Sequence, residues 1–251
     1  MSKITYIELE KTASTNAFLL EKPELERIGI VAFAREQTAG KGMGTNSWES
    51  APGLNLTFSM GVDMAFMLAS DQFLLSMAVP LGMLDVLDAF VERGSCSADP
   101  LMVKWPNDLV VDGRKLAGIL INSTIHGQMM GVSVIGIGLN VNQMQFQDWP
   151  THPISLKMVL GHEVELEPLL RRLVDAVDHR VQLLRSAEGI ALINKEYLDR
   201  LYRYRVWADY EVDGQRVRRY ITGIDSFGRL ETIDESRERF VYDIKEIKFI
   251  G

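Results

Sequence analysis

Apolar positions near the start of the chain recur in steps of two. KITYIEL alternates, IGIVAFA is an apolar run after Pro23, and GLNLTFSM sets Leu54, Leu56, Phe58 and Met60 against Asn55, Thr57 and Ser59. This predicts three strands, the last of them half-buried. Between the first two, KTASTNAFLLEK offers Ser14 or Thr12 as the N-cap of a short helix, which puts Ser14, Thr15 and Asn16 at a helix start. The spacing then lengthens: Phe73, Met77, Leu81, Leu84 and Leu87 recur at threes and fours, predicting a helix capped by Ser70 and kinked at Pro80. LMVKW and DLVVDGRKLAGILIN return to strand spacing around an Asp112-Gly113 hairpin turn, and MMGVSVIGIGLNV follows. From Ile154 to about Tyr204 the pattern is helical, its longest stretch PLLRRLVDAVDHRVQLLRSAEG ending at a glycine C-cap signal. Beyond that lie short strands punctuated by Asp213-Gly214 and Phe227-Gly228. The expected architecture is an α+β domain over residues 1–204 and a small β-barrel over 205–251.

Composition narrows the function classes. With 251 residues, 47% of them apolar, the chain can build one substantial core with a small appended module. A net charge of −7 argues against a surface that grips a nucleic-acid backbone, and no room for a helix-turn-helix is expected ahead of the first strand. The single cysteine, Cys96, fits a reducing compartment, and MSKITYIELEKTASTN lacks the features of a signal peptide, so a cytoplasmic location is expected. The apolar stretch from Asp63 to Phe90 is interrupted by Asp71, Gln72 and Asp85 and reads as a core helix, not a membrane span, with its methionines as core packing. The four histidines show no metal-ligand spacing.

Two segments carry candidate chemistry. QTAGKGMGTNSW, Gln37 to Trp48, sets three glycines around Lys41, a composition that suits an anion because backbone N–H groups and a point charge can converge on it. It is not a Walker A loop, since no Gly-Lys-Ser/Thr ending leads into a helix, and a plain surface loop explains it equally. KWPNDL places Lys104, Asn107 and Asp108 around a corner between strands, with Lys115 on the return strand of the hairpin and Gly118 leaving room for a ligand. Taken alone, Pro-Asn-Asp is also a self-bonded turn.

In combination these motifs resemble the biotin protein ligases. The likeness rests on ASTN at the first helix, QTAGKGMGTNSW, KWPNDL, RKLAGIL, GIGLNVN and the terminal strands, in that order. It implies a catalytic domain like that of class II aminoacyl-tRNA synthetases and biotinyl-lipoyl ligases, with a mixed sheet, followed by a Src-homology-3-like barrel. It also implies that biotin is activated with ATP and Mg2+ to biotinyl-5'-AMP and then transferred to a lysine of a biotin carboxyl carrier protein. By resemblance, Lys115, Lys104, Asp108 and Lys41 are catalytic. Ser14, Thr15, Asn16, Gln37, Gly40, Lys41, Lys115 and Gly118 bind biotin, while Gly42, Trp48, Asn107, Asp108 and Asn140 bind ATP; no metal ligand is assigned. The loop departs from the arginine-rich pattern of many relatives at Met43, Thr45 and Asn46, which leaves those roles open and implies weaker retention of the intermediate. A lipoate-type ligase on the same fold and an inactive biotin-binding or regulatory domain are the alternatives, and either a monomer or a homodimer is compatible.

Overall fold

Seven strands form a mixed sheet in the order β1-β2-β3-β7-β6-β5-β4. They are β1 (Thr5–Thr12), β2 (Ile30–Gln37), β3 (Leu56–Asp63), β4 (Met102–Lys104), β5 (Asp108–Val111), β6 (Arg114–His126) and β7 (Met129–Leu139). Only β1 and β2 pair in parallel. The computed structural model describes residues 4–44, 46–91, 100–147 and 152–250, so Thr45 and Cys96 lie outside the described residues.

The β1–β2 crossover carries α1 (Thr15–Leu20), whose Leu19 packs on Ala32 and Val134. Val31, one residue from Ala32 and therefore on the opposite face, joins the main core instead. That second face is covered by α2 (Phe73–Val91), α4 (Leu166–Leu183) and α5 (Ala187–Asp199), with the short α3 (Leu156–Leu160) beside them. A methyl group at Gly82 would stand 2.7 Å from the Val177 Cα, so the glycine permits the close crossing of α2 and α4. Arg180 bridges Asp85 and Glu196, and Arg200 bridges Asp88, which ties both later helices to α2. Met60, Met64, Met67, Met77 and Met83 are all buried.

Several local expectations are corrected. Because helices cover both faces of the sheet at β3, that strand is buried along all but its last residue; Thr57 and Ser59 face α1 and satisfy themselves on the Ala34 carbonyl and Thr15. Ser14 is the N-cap of α1, but Ser70 sits in a 3-10 turn and donates to Asp71 instead of capping α2. Gly189 is no C-cap: Ser186 opens α5, and Gly189 is buried within it, where a side chain would strike the Leu183 carbonyl. By length and hydropathy α2 is sufficient to cross a membrane, so Asp71 and Gln72 before it and Asp85 within it do not settle the point; 67% of that stretch is buried inside the protein, as in a core helix.

A five-stranded antiparallel sheet follows, β8 (Trp207–Val212), β9 (Gln215–Ile224), β10 (Leu230–Ile233), β11 (Arg239–Tyr242) and β12 (Ile247–Phe249), ordered β11-β10-β9-β8-β12. This is consistent with a small C-terminal barrel. Its Tyr210, Ile221, Leu230, Tyr242 and Ile247 belong to the same apolar cluster as the main sheet. Arg216 and Arg218 lie on its exposed face, paired with Asp209 and Glu235.

Candidate functional site

One cavity of about 400 Å³ collects most of the residues singled out from sequence: Ser14, Thr15, Asn16, Gln37, Lys41, Gly42, Trp48, Lys104, Asn107, Asp108, Lys115 and Gly118 all line it. It has two chemically different ends joined by a bare strip of sheet.

The first end is neutral. Ser14 turns its hydroxyl back to accept from the Ala17 N–H, as an N-cap must, and so fixes the direction of Thr15 and Asn16. Thr15 donates its backbone N–H to Gln37 Oε1 at 2.8 Å and shares a 2.9 Å hydroxyl bond with the fully buried Ser59. The Asn16 carboxamide lies 3.5 Å from the Leu120 carbonyl. These are dipoles without net charge, held by one another.

The strip comes from β6 and β7. Gly118 pairs with Gly138 across the ladder, and Gly136 is the next residue on the same face. A Cβ at Gly138 would strike the Trp48 indole, and one at Gly118 would stand 3.2 Å from both Trp48 and Lys115. Bare backbone therefore lets a flat group lie directly on the sheet. The buried indole N–H of Trp48 has no hydrogen-bond partner among the described residues.

The far end is cationic. Lys115 reaches Asp108 at 2.7 Å and lies 5.7 Å from the Trp48 ring centroid; Lys104 lies 5.2 Å from that of Phe249. Burial pushes the Lys104 ammonium below the usual lysine range, with Asp108 opposing that shift and Arg203 and Lys115 adding to it. Strict alternation would put Lys115 and Gly118, three residues apart, on opposite faces of β6. A bulge prevents this: Leu109 pairs with Ala117 but Val110 with Lys115, leaving Leu116 as the extra residue and turning Lys115 into the cavity. The corner before β5 is rigid. Asn107 donates to the Ile119 carbonyl at 2.5 Å and accepts at its own carbonyl from the Ile119 N–H, while Trp105 Nε1 donates to Gly228 O at 2.9 Å in the terminal sheet.

Two sequence candidates lie off the cavity. Gly40 is packed behind the loop against the Trp48 carbonyl, and Asn140 is buried, its carboxamide donating to the carbonyls of Ile154 and, at 3.4 Å, Lys115. Several lining residues were not legible. Gly136 and Gly138 carried the signal of two glycines on one strand face, whereas Ser59 looked like a solvent-side residue. Ile244, Lys245, Ile247, Lys248 and Phe249 come from the terminal sheet, and no local pattern ties them to the pocket. Among the described residues no group of three or more His, Cys, Asp or Glu stands ready to hold a metal, and Asp108 is the only acidic side chain lining the cavity.

Comparisons with known proteins place the chain in a family and a fold. Residues 8–140 match the model of the biotin/lipoate A/B protein ligase family. The chain is 31% identical over 236 residues to the biotin–[acetyl-CoA-carboxylase] ligase of Paracoccus denitrificans, covering 91% of this chain and 90% of that one. It is 31% identical over 229 residues to biotin–protein ligase 1, chloroplastic, of Arabidopsis thaliana, covering 85% of this chain but only 58% of that relative. The fold is similar to the biotin protein ligase of Aquifex aeolicus solved with biotin and ATP, with a TM-score of 0.77 at 18% identity over 99% of this chain and 98% of that one.

Proposed function

The chain belongs to the biotin/lipoate A/B protein ligase family, and from that premise we propose that it is a biotin protein ligase. The observation that carries this reading is the bipolar cavity: a neutral hydrogen-bonding end at Thr15, Gln37 and Ser59, and a cationic end at Lys104 and Lys115, with Lys41 lining the same cavity from the glycine loop. Biotin has matching parts. Its ureido ring is neutral and needs fixed donors and acceptors, its valeryl chain is apolar, and its carboxylate is an anion.

In this reading the ring sits against Thr15, Asn16 and Gln37, the carboxylate meets Lys115, and the chain passes between them beside the Trp48 indole, which itself lies on the glycine strip. A biotin carboxylate oxygen attacks the α-phosphorus of ATP; the new O–P bond forms as the bond to the β-phosphate oxygen breaks, and pyrophosphate leaves with that electron pair. Lys115 neutralises two anions that must approach, where charge concentrates in the transition state. Asp108 holds Lys115 in place through their ion pair. Trp48 offers an aromatic face for the adenine. In the second step a lysine amine of the carrier attacks the biotinyl carbonyl, the C–N bond forms, the C–O bond to phosphate breaks with release of AMP, and Asp108 accepts the proton.

A magnesium ion with the nucleotide is part of the proposal; when bound it neutralises phosphate charge. Asp108 suits it, since magnesium takes one or two carboxylates and fills its remaining positions with water and phosphate. The partner is the carrier domain of a biotin-dependent carboxylase, a reading supported by the name of the Paracoccus relative. A net charge of −7 supports the absence of a nucleic-acid partner, and the proposal includes a cytoplasmic location.

Incubation with ATP, magnesium, biotin and a carrier domain, followed by streptavidin blotting, tests the reading. Biotin-dependent pyrophosphate release and a labelled carrier are expected. Labelling by lipoate in place of biotin would move the assignment to the lipoate-type ligases, and biotin binding without pyrophosphate release would leave an inactive binding domain.

A further inference from the structure

Five lysines line the cavity, and they are not equally available. Lys115 is paired with Asp108 at 2.7 Å, Lys248 with Glu211 at 2.5 Å, and Lys104 lies over Phe249. Lys104, Lys41 and Lys245 have no ion-pair partner among the described residues, and of these three only Lys41 and Lys245 are exposed. Lys41 stands in the glycine loop, whereas Lys245 comes from the turn between β11 and β12, far along the chain and in the other sheet.

Three observations converge on Lys245. Its ammonium stands over Gly44, where even a single methyl group would strike it, so the glycine loop and the terminal turn close on each other at this point. Its backbone has φ +77°, a conformation that glycine adopts freely and lysine only at a cost. The turn itself is closed by Glu246 N–H to Asp243 O at 3.1 Å and by Asp243 N–H to the Glu246 carboxylate at 2.7 Å. Its two acidic side chains do not line the cavity, while its one cation does. A segment with more negative than positive charge thus presents only its positive group to the pocket, on a backbone better suited to a residue without a side chain.

We propose that Lys245 is the terminal sheet's contribution to the nucleotide site: with Lys41 it holds the polyphosphate tail that leaves as pyrophosphate. The inference rests on the ligase reading above and deepens it. The glycine loop brings only one cation of its own, and ATP carries several negative charges beyond the α-phosphate, so a second free cation at the loop's edge completes a clamp that the loop alone lacks. It follows that the terminal sheet takes part in forming the adenylate. Once pyrophosphate has left, Lys245 has no anion to hold, and transfer to the carrier proceeds without it.

The test compares Lys245→Gly and Lys245→Arg with the wild-type chain. Glycine removes the charge while suiting the backbone, so the variant keeps its fold; arginine restores the charge. Two assays are run: biotin-dependent pyrophosphate release with ATP varied and with pyrophosphate added as inhibitor, and transfer from preformed biotinyl-5'-AMP to a carrier domain. Lys245→Gly is expected to raise the ATP KM and weaken pyrophosphate inhibition by about two- to fivefold, as for an exposed charge. The biotin KM and the transfer rate stay unchanged, and Lys245→Arg recovers most of the loss. Unaltered ATP and pyrophosphate constants in an active Lys245→Gly enzyme would overturn this proposal and leave the ligase reading standing. Slower transfer with normal adenylation would overturn it in favour of a carrier contact. A wild-type chain that releases no pyrophosphate with biotin would overturn both readings together.

Discussion

The two lysine-bearing segments that meet in the cavity are held in opposite ways. The corner from Lys104 to Lys115 is fixed on every side: Asn107 to Ile119, Trp105 to Gly228, Lys115 to Asp108, and the Lys115 carbonyl to the Ile154 N–H at 2.9 Å. The glycine loop around Lys41 is held mainly by its own backbone, Gly42 N–H to Asn46 O at 2.8 Å and Trp48 N–H to Gly40 O at 2.9 Å, and Lys41 is exposed. The difference separates two tasks. A charge that acts in the transition state must be in place beforehand, because moving it during reaction would cost the stabilisation it provides. A charge that admits and retains a ligand has to sit on a segment that ligands can pass.

The largest expected effect lies at the fixed corner. Lys115→Met should lower biotin-dependent pyrophosphate release by about 10²–10³-fold or more, the scale of losing one transition-state donor. Rates within tenfold of wild type would move the chemistry elsewhere. Asn107→Ala tests whether rigidity itself matters. It strands the Ile119 carbonyl and should cost about 1–3 kcal/mol in a denaturant melt, with kcat falling more than the biotin KM changes. The loop should behave differently. Lys41→Ala is expected to raise the ATP KM by about two- to fivefold with little change in stability, as for an exposed charge, and a kcat loss as deep as that of Lys115→Met would erase the contrast.

The smallest effect is at the far end of the β6–β7 hairpin, which continues the fixed region away from the cavity. Glu24 accepts from the Thr124 hydroxyl, the Val132 N–H at 2.9 Å and His126, and these bonds, Thr124 first, hold its carboxyl at about 2 instead of 4.5. A depressed carboxylate contributes stability that is fully present above its unfolded value and is lost as pH falls from about 4.5 through about 2. Glu24→Gln should therefore flatten the acid-unfolding profile in that window and leave neutral-pH activity intact. An unchanged profile would mean that the clamp does not contribute.

Much of this was readable along the chain, for identifiable reasons. Ser14 is a cap because its hydroxyl meets an N–H three residues away, and Asp112-Gly113 turns because both residues take positive φ, 51° and 69°. Such features depend on neighbours in sequence. Ser70 and Gly189 misled because the same residue types also serve inside 3-10 turns and close packings, and local spacing does not distinguish these uses. β3 looked half-exposed because Thr57 and Ser59 are polar, but burial with bonding partners leaves the same alternation as exposure to water.

The order of residues by itself determined the strands, the helices, the motifs and the chemical types available: lysines beside glycines, a carboxylate beside a carboxamide, small polar groups at a helix start. Only the tertiary structure decided which of them share a space. The bulge at Leu116 turns Lys115 toward Gly118, the ladder sets Gly118 beside Gly138, and the docking of the terminal sheet brings Lys245 over Gly44. The physical reason is range. Capping, turns and periodicity are settled within a few bonds of the residue concerned, whereas the facing of two distant side chains depends on register and packing summed over the whole fold.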